Sequence, residues 1–534
     1  MRLGKGPRRS AADAAREAEA LDDLLESELK FETICASFET ARSITRSITI
    51  FSGPPNSGKT FAAFEALRNA ESGAYLSSLR LLALEARDDF DEKGLPCSLV
   101  TGEDVSRVDG ATHVAATVEC CDLQLTVDLA VIDEAQNLFD PSRGWAWTHA
   151  LLGCPARELI IICAAYAVPA ITAILACCGE TPVVRTFERK QGAPRLLEEP
   201  VPLTGLQPGD AVVSFARIDA LVFHDKLQAG AGPAGKGLPT AVVYGALPPE
   251  VRRAEAERFA SGSAVVLSAT DAIGQGLNLP ISRVLFTSCT KFDGREVRLL
   301  GVGETHQIAG RAGRFGVVEG RGAVGVLELA PPGSLGLLRG LLEQAPTAPP
   351  SFRASIAPTA GHIATIAERL RLTQLQDVLE VFTSRLRAQT SATFVLADPS
   401  RLQDLAARLD DAAPRLSVAD RFAYATAPIN SRDGALMEEY LSWAAAHSAR
   451  GTAGVPYFLL HPAPRDKLIA MEAALRATTL WLFLALKFPD VFLNEDEAIL
   501  EREELSLAIA DLLVSSRRLA GPGALTTVEK QGRK

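Results

Sequence analysis

One stretch constrains this chain more than any other: Gly53-Pro54-Pro55-Asn56-Ser57-Gly58-Lys59-Thr60. It fits the pattern G-x-x-x-x-G-K-[ST]. The β-branched run Ser47-Ile48-Thr49-Ile50-Phe51 lies just before it and Phe61-Ala62-Ala63-Phe64-Glu65-Ala66-Leu67 just after. Strand, glycine loop and helix is the context such a loop needs, because backbone N–H groups and the helix N-terminus then converge on phosphate oxygens. Gly53, Pro54, Asn56, Ser57 and Gly58 would form the cradle. Lys59 would reach the β- and γ-phosphates, and the Thr60 hydroxyl would ligate Mg²⁺.

About 70 residues on, Ala130-Val131-Ile132-Asp133-Glu134-Ala135-Gln136 puts two acids at the end of an apolar strand. Asp133 is placed to hold Mg²⁺ and Glu134 to polarise the water that attacks a γ-phosphate. The third piece is Gln307-Ile308-Ala309-Gly310-Arg311-Ala312-Gly313-Arg314. The spacing predicts a helix carrying Arg311 and Arg314 on one face, where two guanidinium groups stabilise transition-state charge and Gln307 orients the water. Glycines inside such a helix cost stability, which predicts close approach to a ligand there.

Length sets the frame for these pieces. A chain of 534 residues exceeds one ordinary core, so several domains are expected. Apolar runs alternating with helical stretches predict parallel sheets covered by helices. The runs are Leu129–Ile132 and Leu159–Ile162, then Ala211–Phe215, Thr240–Tyr244, Ala264–Leu267, Val284–Phe286 and Gly325–Leu327. Pro182–Pro202 reads as a linker, and helical periodicity dominates beyond the Pro/Ala-rich segment Ala345–Pro358, in Ile363–Leu370, Gln374–Leu386, Lys467–Phe488 and Ile499–Leu513. The expected layout is a helical extension over 1–44, α/β lobes over 45–195 and 196–345, a helical domain over 346–520 and a frayed tail over 521–534.

Hydrophobic content of 47% with 22% charged residues describes a soluble globular protein, and a net charge of −10 argues against a generally basic coat. A local basic channel for nucleic acid remains compatible with that total. The nine cysteines include no C-x-x-C pair and the seven histidines are scattered. Reduced thiols and no protein-only metal site are therefore expected. Leu159–Cys178 is uncharged, but Pro169 interrupts it; a buried strand over Leu159–Cys163 followed by a core helix is expected rather than a membrane span. Arg8 and Arg9 lead into Glu17, Glu19, Asp22, Asp23 and Glu26, neither a secretory signal nor an acid-poor transit peptide. A bacterial-type cytoplasm is expected in preference to a mitochondrial matrix.

Q-x-x-G-R-x-x-R together with G-x-x-x-x-G-K-T and D-E-A-Q resembles the superfamily-two, DExH-type helicases, and within them the mitochondrial degradosome RNA helicase (suppressor-of-var) family. Longer stretches carry the likeness: Leu79–Glu85, Val100–Glu103, His113–Glu119, Arg143–Trp147, Tyr244–Pro249, Ala269–Leu279 and Asp420–Asn430, in family order over about residues 45 to 515. The resemblance implies two tandem RecA-like parallel-sheet lobes followed by an all-helical C-terminal domain, closing on Mg-ATP. It implies that Arg80, Thr101, Gly102, Thr117 and Thr270 line a nucleic-acid path, while Asp271 and Gly274 link nucleotide and strand. Taken singly, each threonine reads as a helix cap or strand hydroxyl.

The family further implies 3′ to 5′ movement on RNA, tolerance for DNA, a role in RNA turnover and an exoribonuclease partner, with no membrane. One departure stands out. Where the family has a Gly-Glu-Pro-type turn, this chain reads Cys163-Ala164-Ala165-Tyr166-Ala167-Val168-Pro169, with no acid and no hydroxyl near its start. An ATP-gated RNA clamp or exonuclease scaffold without unwinding is the alternative that this departure motivates. A P-loop kinase or GTPase acting on a small molecule is a further rival, against which the paired arginines and second lobe count.

Overall fold

The computed structural model describes residues 29–31, 33–102, 104–189, 192–232, 236–274, 279–293, 296–313 and 321–515. Arg314, the stretch 275–278, most of the N-terminal extension and the tail lie outside them.

The first lobe is built on β1 (Ser47–Ser52), β2 (Gly73–Ser77), β3 (Cys97–Val100), β4 (Val105–Ser106), β5 (His113–Thr117), β6 (Val127–Ile132), β7 (Ala156–Cys163) and β8 (Val183–Thr186). They pair in the order β4-β3-β5-β2-β6-β7-β1-β8, parallel throughout except for β3 with β4. Central strands such as β2 and β6 are buried along nearly their whole length, which is why they read as continuous apolar runs. Helices α1 (Lys59–Asn69), α2 (Arg80–Glu92), α3 (Gly144–Gly153) and α4 (Val168–Ala176) follow β1, β2, β6 and β7. Leu159–Cys178 thus divides into strand, a short 3₁₀ turn over Ala165–Ala167, and helix, as expected.

Pro182–Pro202 is more than a linker. Its first half is β8, an edge strand beside β1, and its second half contains β9 (Arg195–Leu196), an edge strand of the next sheet. That sheet adds β10 (Asp210–Ser214), β11 (Thr240–Val243), β12 (Val266–Thr270), β13 (Arg283–Phe286) and β16 (Ala323–Val326). Its order is β11-β12-β10-β13-β16-β9. A hairpin of β14 (Thr290–Phe292) and β15 (Val297–Leu299) precedes α6 (Val302–Ala309), while α5 (Pro249–Ala260) covers the sheet near β11.

Among the described residues the C-terminal region is helical apart from one parallel pair, β17 (Ala354–Ile356) with β18 (Phe394–Leu396). Ala354 and Ile356 are fully buried and belong to the same apolar cluster as Ala146, Trp147 and Ala150 of α3. The first lobe and the helical region therefore share one core, and the second sheet has its own. Helix α7 (Leu468–Lys487) joins them. Leu468, Met471 and Leu475 pack with Leu221 and Val251 of the second lobe, whereas Leu480, Trp481 and Leu484 sit in the shared core. Glu472, buried on α7, accepts a hydrogen bond of 2.6 Å from the Tyr244 hydroxyl and pairs with Arg217. By length and composition α7 passes as a membrane span, but 67% of its apolar window is buried inside the protein, as in a core helix. Helix α8 (Glu495–Val514) packs against it.

Candidate nucleotide and nucleic-acid site

Ligands of open parallel sheets gather at the carboxyl ends of the strands, and the loop Gly53–Gly58 leaves the carboxyl end of β1. Gly58 adopts φ +89° as the N-cap of α1, a left-handed conformation that suits glycine. The Lys59 ammonium donates to the carbonyls of Gly53 at 2.6 Å and Pro54 at 2.7 Å. Burial lowers its pKa, while Glu134, Asp133 and Cys163 pull it back up. Thr60 lies one residue further along α1, at the same end of the sheet.

The strand order β6-β7-β1 puts the acids two strands away from this loop. Asp133 is pinned through every polar group. Its N–H donates to Leu76 O at 2.9 Å and its carbonyl accepts from Trp147 Nε1 at 3.0 Å. Its carboxylate accepts from the Tyr75 hydroxyl and from Glu134 N–H, each at 2.7 Å. Burial first, and Glu134 second, push its pKa up to about 7. Glu134 itself sits at φ +50°, a conformation costing a non-glycine residue on the order of 1 kcal/mol or more. Gln136 donates to the Glu134 carboxylate and accepts from Ala164 N–H at 3.1 Å.

The Gln307–Arg314 segment departs from expectation. Helix α6 stops at Ala309, with Gly310 as its C-cap, so Arg311 lies in the turn beyond it and not on a helical face. The glycines here allow close approach of protein. A Cβ on Gly310 would stand 3.3 Å from the Pro55 ring, and one on Gly313, at φ +64°, would stand 2.3 Å from Gly322 N. The turn is held against the first lobe. Asn56 Nδ2 donates to Gly310 O at 2.7 Å, and Arg189, from the inter-lobe ribbon, donates to Ala312 O at 3.0 Å. Arg311 is buried and donates through Nε to Gly274 O at 3.1 Å. Burial lowers its pKa, and Glu134, Glu85 and Asp133 raise it, so its charge faces the acids across the cleft. Gln307 Nε2 is buried without a hydrogen-bond partner among the described residues. Asp271 pairs with Lys291 at 3.3 Å. The structure thus brings Lys59, Asp133, Glu134, Asn56 and Arg311 to one cleft; Arg314 lies outside the described residues.

The residues expected along a nucleic-acid path lie mostly around the carboxyl ends of β2, β3, β5 and β12. Arg80, at the start of α2, is paired with Asp104 and with Glu250 of α5, each at 3.3 Å, and Arg502 of α8 lies 3.6 Å from Asp104. Thr101 donates its hydroxyl to Asp104 O at 3.1 Å, and Thr270 Oγ1 accepts from Ala272 N–H at 3.4 Å. Both hydroxyls therefore have cap-like local partners. Thr117 is buried at the end of β5. Gly102 faces the Phe483 ring of α7, whose Lys487 ammonium lies 5.9 Å from that ring.

Several residues here escape a motif reading. Tyr75 lies on β2, too short a run to stand out. Arg189 is distant in sequence from what it holds, whereas Gln136 carries a signal as the last residue of D-E-A-Q and Trp147 as the end of the stretch Arg143–Trp147.

Comparison with known proteins adds an independent line. Residues 35–187 match the model "DEXQ-box helicase domain of Suv3", and residues 201–316 match "Helicase conserved C-terminal domain". The Arabidopsis thaliana protein named "DExH-box ATP-dependent RNA helicase DExH16, mitochondrial" is 32% identical over 487 residues, 90% of this chain and 83% of that protein. The Caenorhabditis elegans "ATP-dependent RNA helicase SUV3 homolog, mitochondrial" is 33% identical, covering 91% of this chain and 67% of its own length. The human "ATP-dependent RNA helicase SUPV3L1, mitochondrial" is 33% identical over 85% of this chain, which spans 58% of it. These names correct the expectation of a bacterial-type cytoplasm: the curated relatives are mitochondrial. Composition at the N-terminus does not report where the folded core works. With both halves of the cleft matched in order, the chain belongs to the Suv3-type family of ATP-dependent RNA helicases.

Proposed function

We propose that this chain moves 3′ to 5′ along single-stranded RNA, separating duplex ahead of it in the service of RNA turnover, with some tolerance for DNA. The observation that carries this reading is the two-lobe cleft, in which Asn56 of the phosphate loop meets Gly310 of the turn that bears Arg311. Lys59 would neutralise the β- and γ-phosphates, and Glu134 would accept a proton from the attacking water. Arg311 and Arg314 would meet the charge that develops on the transferred group, with Gln307 orienting the water.

The oxygen donors suit a hard divalent cation. Asp133 is a carboxylate whose pKa burial and a second acid have raised, so a cation there would relieve an unfavourable charge. Thr60 and Asp133 would hold Mg²⁺, which supplies electrostatic activation of the γ-phosphate. Arg80, Thr101, Gly102, Thr117 and Thr270 would contact phosphates and sugars, which position a strand without reading its sequence. For Arg80 this requires exchange of Asp104 and Glu250 for a phosphate. An exoribonuclease partner would consume the strand released.

Displacement of a labelled strand from 3′-tailed and 5′-tailed RNA duplexes tests the proposal. Displacement with ATP from the 3′-tailed duplex alone is expected. Normal ATP turnover with no displacement from either would replace it with the clamp reading.

A further inference from the structure

We propose that Tyr166 is a positioning residue that couples lobe closure at the ATP site to the helical region, supplying the hydroxyl that the stretch Cys163–Pro169 lacks at its start. The inference rests on the function proposed above. Topology gives Tyr166 its place. The segment after β7 emerges between β6 and β1, hence between Asp133-Glu134 and the phosphate loop. Gln136 fastens that segment to the acids through Ala164 N–H.

The two ends of the Tyr166 side chain meet different bodies. Its ring stacks on Phe139, centroids 5.8 Å apart at 21°, and Phe139 meets Phe352 edge-on at 4.6 Å. Phe352 lies two residues before β17, the strand through which the helical region joins the first lobe. The hydroxyl end points to the second lobe, where a Cβ on Gly303 of α6 would lie 3.5 Å from it. A Cβ there would be in ordinary van der Waals contact with the phenol oxygen, so only a larger side chain would crowd it. Gln307 is four residues further, so it shares that helical face, and its Nε2 is the buried donor left without a partner among the described residues. The Tyr166 hydroxyl likewise has no hydrogen-bond partner among the described residues, and burial followed by Glu134 raises its pKa to about 12. It therefore stays a neutral donor and acceptor across the working pH range.

Movement of α6 relative to the phosphate loop thus alters what the hydroxyl meets, while the ring passes any displacement through Phe139 to Phe352. Phenylalanine at this position would keep the stack and lose the contact. Steady-state ATP turnover at saturating single-stranded RNA, with ATP KM and strand displacement per ATP, tests this in Tyr166→Phe and in Gly303→Val, which crowds the hydroxyl. Loss of a hydrogen bond that the hydroxyl makes only on lobe closure predicts a kcat lowered about fivefold to tenfold in Tyr166→Phe, with ATP KM within about threefold of the parent and fewer base pairs opened per ATP. A kcat and displacement ratio within about twofold of the parent in Tyr166→Phe would overturn the proposal. If Tyr166→Phe failed to fold, the same comparison in Gly303→Val would decide. A parent protein without RNA-stimulated turnover would instead remove the functional reading on which the inference stands.

Discussion

The side-chain amide of Asn56 donates to the main-chain carbonyl of Gly310 at 2.7 Å, although 254 residues separate them. One belongs to the phosphate loop and the other to the turn carrying Arg311, so this bond ties the two halves of the cleft directly. Asn56 adopts φ +62°, which asparagine tolerates better than most residues. Asn56→Gly keeps that backbone and removes only the bond. A net hydrogen bond contributes about 1 kcal/mol, so RNA-stimulated kcat is expected to fall about fivefold, with the ATP dissociation constant within about threefold. Fluorescent-ATP titration beside steady-state turnover checks both.

Lys59 and Arg311 sit on opposite sides of the cleft and should fail differently. Lys59 donates to the carbonyls of its own loop, where the phosphates would lie, so Lys59→Ala should weaken ATP binding and turnover together. Arg311→Ala should bind ATP within about threefold of the parent and lose about 1,000-fold or more in turnover, the scale of an arginine that stabilises transition-state charge. Arg314→Ala should behave as Arg311→Ala does. Equal loss of affinity in the lysine and arginine variants would mean that the second lobe contributes to ATP binding as such.

Much of this arrangement was legible in the sequence, for a physical reason. Buried parallel strands such as β6, β7 and β10 contain continuous apolar runs, and a phosphate loop tolerates few residues at its fixed positions. Strands β2, β3 and β5 were harder to see, because Gly73–Ser77 and His113–Thr117 mix small and polar residues and gain their burial only from neighbours. The end of α6 was misjudged. The i, i+3 spacing of Arg311 and Arg314 predicts a helical face, but Gly310 caps the helix before Arg311. No local pattern could reveal that Trp147 holds the Asp133 carbonyl or that Arg189 holds Ala312, since those contacts exist only after the chain has folded.

Arg80 offers a test of the nucleic-acid path. It is paired with Asp104 and Glu250 at 3.3 Å, and a strand phosphate would have to replace those acids. Each phosphate contact to a single strand contributes about −0.7 to the slope of log K against log salt. Arg80→Ala is therefore expected to weaken RNA binding and make that slope shallower by about 0.7, as measured by anisotropy of labelled RNA over a salt series. An unchanged slope would place Arg80 in the inter-lobe ion pairs alone.

Acid should loosen the joint between the first lobe and the helical region. His149 on α3 is buried against Phe38 and Trp145, and burial, then the neighbouring His362, lowers its pKa to about 3. A histidine held below its unfolded value of about 6.5 binds fewer protons folded than unfolded. Its contribution to stability is complete above pH 6.5 and is lost as pH falls from there towards 3. The slope from one such group is at most about 1.4 kcal/mol per pH unit. His149→Phe should flatten the fall in chemical-denaturation stability between pH 6.5 and pH 5; an equally steep fall would assign the acid sensitivity to other groups.

The central claim is that the cleft hydrolyses ATP only when both lobes and a strand are engaged, with Glu134 as the base. ATP turnover with and without single-stranded RNA, in the parent protein and in Glu134→Gln, tests it most directly. The account predicts strong stimulation by RNA in the parent and loss of about 100-fold or more in the variant, the scale on which positioned bases contribute, with ATP and RNA still bound. Absence of stimulation in the parent, or undiminished turnover in Glu134→Gln, would contradict it.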